Sequence, residues 1–160
     1  MASKQRHMYG DAEVRECAVL AASVIEVGDI LWFDASNNVV KPASAYTWDT
    51  NLATTQGTFK DVFVGVALSA HAANDPYTNA VRYATTGVFR FACASAAFDL
   101  GVFLGPADSG SSTLEDQKVV AVANATLAIG KPARQETAAV TEVRCEIVSA
   151  IHYSGVQTIT

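Results

Sequence analysis

A chain of 160 residues with 50% hydrophobic and 17% charged side chains is long enough for one domain with its own core and too apolar to be disordered. Its formal net charge of −5 supplies no broad basic field for a phosphate backbone, so the expectation is no direct nucleic-acid binding. Three widely spaced cysteines, Cys17, Cys93 and Cys145, form no C-x-x-C pair, which points to buried free thiols and away from a zinc site or a disulfide framework.

Residues 1–14, "MASKQRHMYGDAEV", are polar and without periodicity. They are too polar for a signal peptide, and no later run approaches the ~18 apolar residues of a membrane span. A soluble protein made in a cytoplasm is expected, with this segment as a flexible arm that orders only on a partner. From Cys17 the texture becomes short apolar runs between turn residues. "CAVLAA" and "SVIEV" lead to a turn at Gly28-Asp29, then "ILWFDA", and Asn37-Asn38 reads as a hairpin turn returning through "VVKPA".

Residues 43–61, "ASAYTWDTNLATTQGTFKD", read as a long polar loop with scattered aromatics, Tyr46, Trp48 and Phe59. Such aromatics either plug the open end of a barrel or act as hot spots for a neighbour. "VFVGVALSA" is a continuous apolar strand in which Gly65 marks a bulge or a close approach. "NAVRYATTGVFRF" then reads as a strand, a kink at Gly87 and a second strand. "FDLGVFLGPADSGSS" holds a short strand ending in a Gly/Ser turn, and "QKVVAVA", "LAIGKPA" and "TEVRCEIVSAIHY" complete the set. Only "ARQETAAVTEV" has the texture of a helical turn. Many short strands at intervals of about ten residues give the expected fold class: mainly all-β, a barrel or sandwich with little helix. The expected division is an arm over 1–14, a β-rich domain over 15–149 and a tail over 150–160.

The two halves echo one another. "VGDILWF", "FVGVAL" and "NAVRYATTGVF" find counterparts in "LGVFLGP", "AIGKPA" and "TEVRCEIV", which matches Gly65 with Gly130 and Arg82 with Arg144. The expectation is two related hairpin units folded into one barrel.

Catalytic patterns are missing from the sequence. There is no G-x-S-x-G, no phosphate-binding glycine loop and no metal-ligand spacing, and His7, His71 and His152 fall in an arm, a turn and the tail. No enzyme, cofactor or metal is expected. Arg82, Arg90 and Arg144 occupy the polar sides of strands, where they could pair with Glu142 or Glu146 or with an acidic partner.

"VIEVGDILWFD", "DVFVGVALSAHAANDPYTNAVRYATTGVFRF" and "AIGKPARQETAAVTEVRCEIV" together resemble the small capsid cement, or decoration, proteins of tailed bacteriophages. The carrying motifs are Gly28-Asp29, Phe63 to Ala67, Val81 to Phe89, Ile129 to Ala133 and Val143 to Ile147, and the resemblance spans residues 17 to 149. It does not extend to the 43–61 segment or to the tail. The resemblance implies a compact β-rich domain, often a homotrimer, on the outer capsid surface of the virion, with the major capsid protein as partner. Charge and the lack of a long apolar run give the expectation of no nucleic-acid or membrane partner. Contact candidates on this reading are Arg6, Met8 and Tyr9 in the arm, Tyr46, Trp48 and Phe59 in the 43–61 segment, and Arg82 and Arg90. The rival reading is a carbohydrate-binding or host-attachment module of a virion, for which Trp48-Asp49 and Asn51 are the only suggestive cluster.

Overall fold

The computed structural model describes residues 7–153 and divides the strands between two sheets. The first contains β2 (Val14–Ala18), β3 (Ile30–Asp34), β4 (Val39–Pro42), β5 (Phe63–Ala67) and β6 (Ala80–Ala84), paired antiparallel in the order β2-β6-β5-β3-β4. The β3–β4 hairpin turns on Asn38, whose φ of 54° is a left-handed conformation that asparagine tolerates. Asp34 pins that turn. It pairs with Lys41 Nζ at 2.6 Å and accepts from Asn37 Nδ2 at 2.7 Å and from the Ser36 backbone at 3.0 Å, and these, Lys41 foremost, hold its carboxyl down at about 2.

Between β4 and β5 the chain makes a 3-10 turn (Ala43–Ala45) and then helix α1 (Leu52–Val62). This corrects the expected loop over 43–61. The threonines and Gly57 give the segment poor intrinsic helix propensity, but Asn51 caps it by accepting from the Thr54 backbone at 2.9 Å. Burial of Thr55, Gln56 and Phe59 then supplies the tertiary support that propensity lacks.

The second sheet is formed by β7 (Thr86–Phe98), β8 (Phe103–Asp108), β9 (Leu114–Val122), β10 (Gly130–Pro132) and β11 (Glu136–Val148) in the order β7-β11-β10-β8-β9. β9 also touches β7 in parallel at Lys118 and Ala92, which closes these five strands into a barrel. β1 (His7–Tyr9) adds to β7 beside that closure. From His7 onward, therefore, the segment expected to be a free arm contains a strand. The chain ends its described course in a short helix, α2 (Ala150–Tyr153), where a tail was expected. From Glu136 onward "ARQETAAVTEV" is strand, not helix: β11 begins there and pairs with β7 through two register shifts, and this cross-strand pairing overrides the helix preference of Ala138 and Ala139.

Strand order carries the internal echo further than the sequence does. Adding five to each label converts β2-β6-β5-β3-β4 into β7-β11-β10-β8-β9. The pairing agrees in register: Val66 faces Ala84 and Ala67 faces Tyr83, just as Lys131 faces Glu146 and Pro132 faces Cys145. The amides of Leu68 and Ala133 donate to the carbonyls of Arg82 and Arg144, each at 2.8 Å. Gly65 and Gly130 hold the same place. A Cβ on Gly65 would lie 2.1 Å from the Ala84 carbonyl oxygen, and one on Gly130 would lie 2.3 Å from that of Glu146. Each half thus builds its own sheet, a correction to the expectation of one shared barrel. In the first sheet no closing pair forms among the described residues, and β2 meets the end of the β3–β4 turn through the Cys17 thiol, 4.0 Å from the Asn38 carbonyl.

The crossover between sheets falls at Thr85 and not at Gly87, which lies inside β7. Thr85 is fully buried; its amide donates to the Glu13 carbonyl at 2.8 Å, and its own carbonyl accepts from the Ser149 amide at 2.9 Å. One core runs across both sheets, joining Ile30, Phe59, Phe63 and Val66 to Phe89, Phe91, Leu104, Val143 and Ile147. A second, smaller cluster, with Leu31, Val40, Val64 and Val81, covers the other face of the first sheet. Every residue of β5 is buried because that strand has core on both faces.

Candidate functional site

The contact candidates separate once placed. Phe59 is fully buried, and Tyr46 stacks edge-on between Trp32 (5.0 Å) and Phe59 (5.1 Å). Trp48 is half-buried and packs against the same core. Phe59 is withdrawn from the surface by this burial, and the aromatics of 43–61 plug the core beneath α1. Asn51 and Asp49 serve the same segment, Asn51 as the helix cap and Asp49 by accepting from the Thr50 backbone.

Met8 and Tyr9 stay exposed on β1, Tyr9 at 44%. Arg6 lies outside the described residues. Arg90 pairs with Glu142 at 3.4 Å across the β7–β11 ladder while Arg144 stands directly opposite Arg90. Arg82 is exposed on β6, facing Glu16 of β2 in register. Two of the three histidines have structural roles: His71 is buried with Nδ1 2.6 Å from the Ser23 carbonyl, and His152 Nε2 lies 2.9 Å from the Tyr83 hydroxyl. Cys93 and Cys145 are buried free thiols, Cys17 a half-buried one.

An open cleft of about 430 Å³ lies where the two sheets meet, which no single sequence motif reveals. Phe63 and Lys60 enter it from the first half. Phe103, Ala125, Ala128, Ile129 and Lys131 enter from the second, with Val148 and Ala150 at the end of the chain. Its walls are mostly apolar, and its charged groups are Lys60, Lys131 and Glu146. Lys131 Nζ sits 5.0 Å from the centroid of the Phe103 ring, a cation–π arrangement that biases the exposed ammonium towards the cleft's edge by about 0.5–1 kcal/mol. The one sequence signal was Lys131 itself, a cation inside the otherwise apolar "LAIGKPA".

A second cluster joins the halves through carboxylates. Asp29, buried beside Gly28, accepts from the Glu26 backbone and from Gln117 Nε2 of β9, both at 2.8 Å. Burial pushes its carboxyl up to about 6, with nearby Asp116 and Glu26 adding repulsion. Asp116 is raised as well, again by burial, although it accepts from the Ser44 backbone at 2.7 Å and from Ser44 Oγ at 2.9 Å. A carboxyl raised in the folded state binds its proton more tightly there than in the unfolded chain. Its effect therefore favours folding at acid pH and is lost as pH rises from about 4 towards about 6. Asp29→Asn is expected to flatten the fall in urea midpoint between those values; an unchanged pH profile would show that Asp29 does not titrate there.

Among the described residues, no group of three or more histidines, cysteines or carboxylates is placed to hold a metal ion, and no helix is long and apolar enough to cross a membrane. No family model matches the chain, and no match was found among curated proteins.

Proposed function

We propose that this chain is a virion structural protein, a cement or decoration protein that binds the outer face of a tailed-phage head, as a homotrimer, and reinforces junctions between major capsid subunits. The observation that carries the reading is the order of motifs over residues 17 to 149, the one on which the resemblance rests. Surface chemistry supports it. Met8, Tyr9 and Val14 near the start of the chain, and Val148 and Ile151 near its end, expose apolar side chains suited to burial against another protein. Adhesion of this kind needs area more than reactivity. About 800 Å² per partner suffices for a specific contact, and symmetry repeats it over a shell.

The glycan-binding alternative draws less support, since Trp48, Asp49 and Asn51 are engaged in building and capping α1. The deciding experiment is solution mass together with co-sedimentation on shells of the major capsid protein. A trimer that coats shells is expected; a monomer that stays in the supernatant and binds glycans overturns the reading. A double Met8→Ser, Tyr9→Ser variant is expected to keep its melting temperature and to lose about 2 kcal/mol of shell affinity, the order seen when an aromatic anchor is removed. Undiminished sedimentation would remove β1 from the contact surface.

A further inference from the structure

We propose that the cleft between the two sheets is a docking site for an extended apolar segment of a protein partner, with a carboxylate of that segment held by Lys131; this rests on reading the chain as a protein that docks on other proteins. The floor and walls supply the apolar half of the match through Phe63, Phe103 and Ile129. The charged half comes from the rim. Lys131 makes no ion pair among the described residues, and the Phe103 ring biases its ammonium towards the cleft's edge. Among the described residues Lys60 pairs only with Asp61, at 3.5 Å, and Asp61 is mostly in solvent. Glu146, the cross-strand neighbour of Lys131, is the one opposing charge in the cleft. Lys60 and Lys131 set against Asp61 and Glu146 leave this rim near neutral on a chain of net charge −5, so an acidic ligand meets less repulsion here than over the rest of the surface.

The volume falls within the range of about 300–1,000 Å³ that suits buried ligands. The cleft is open, however, and Val148 on its wall is 54% exposed. An extended segment would cover that side chain, which favours a stretch of polypeptide over a compact small molecule.

The test uses the full chain and the dye anilinonaphthalene sulfonate, an apolar ring system carrying one anion. Wild-type protein is expected to brighten the dye. Lys131→Glu should weaken dye binding about tenfold by reversing the charge at that position, and Ala125→Trp should abolish it by filling the cleft from an exposed position. Both variants should melt like wild type. The same two variants are then expected to sediment less with capsid shells. Dye that stays dark with wild type overturns the proposal, because the cleft is then filled by this chain or by a second copy of it. Dye binding indifferent to both substitutions also overturns it. Weakened dye binding with unchanged shell binding overturns the cleft as the docking site and leaves the decoration reading standing. Wild-type protein that never sediments with shells overturns the decoration reading itself, and is told apart because the dye arm requires no shell.

Discussion

Gly65→Ala is expected to abolish folding or to cost more than about 4 kcal/mol, a large share of the 5–15 kcal/mol that typically separates folded from unfolded domains. The new methyl would sit 2.1 Å from the Ala84 carbonyl oxygen and 3.1 Å from a ring carbon of Tyr83, and Gly65 has a φ of 153° that disfavours any side chain. Neither neighbour can retreat. Ala84 is fully buried at the end of β6, Tyr83 is buried against the smaller core, and β5 has core on both faces. Gly130→Ala should be almost as damaging, for its methyl would meet the Glu146 carbonyl oxygen at 2.3 Å and the Cys145 sulfur at 2.6 Å. Gly101→Ala is the control. Its φ is also positive, at 90°, but nothing lies within 4 Å, so only the backbone term of about 1–2 kcal/mol applies. Urea unfolding of the three variants measures the contrast. Equal, mild effects at Gly65 and Gly101 would show that the β5–β6 approach is not tight.

Phe59→Ala is expected to cost about 3–5 kcal/mol, the penalty for emptying a buried aromatic site. Phe59 is fully buried in the core shared by both sheets, meeting Tyr46 edge-on at 5.1 Å and lying 6.4 Å from the Phe63 ring. The helix that carries it also buries Gln56, whose Nε2 donates to the Pro106 carbonyl of β8 at 2.7 Å. Loss of Phe59 therefore loosens the packing of α1 on both halves. Phe59→Leu should recover most of the loss. Denaturant unfolding and solution mass read the outcome. A variant of wild-type stability that has stopped associating would make Phe59 a contact residue and contradict its burial.

Much of the strand pattern could be read from residues alone, because the signals were local. Asn37-Asn38 marks a hairpin through its tolerance of positive φ, and Gly65 marks a close approach inside an apolar run. Helix α1 escaped because its Thr-rich sequence hides the spacing of Leu52, Thr55, Gln56, Phe59 and Phe63; Asn51 as a cap was the signal that could have found it. The segment ahead of Val143 reads as helix for the opposite reason, since its alanines favour helix until β7 is there to pair with the strand. The division into two sheets was unreadable locally. It turns on Thr85, an unremarkable threonine between two strands, and on hydrogen bonds to residues far away in the chain. The cleft was hidden for the same reason, because its lining comes from segments as distant as Lys60 and Val148.

Glu13 and Ser149 both hydrogen-bond to Thr85, although 136 positions separate them along the chain. The entrance to the first sheet, the passage to the second and the exit from the second are thus gathered at one corner of the molecule. A backbone whose sheet-forming stretch begins and ends at one corner in this way can be cut elsewhere and rejoined there. Opening it at the exposed Ser109–Ser112 turn while linking residues 13 and 149 would keep the pairing among β2 to β11 at the cost of β1 and α2, and would turn that distant turn into the point from which any fused cargo is displayed.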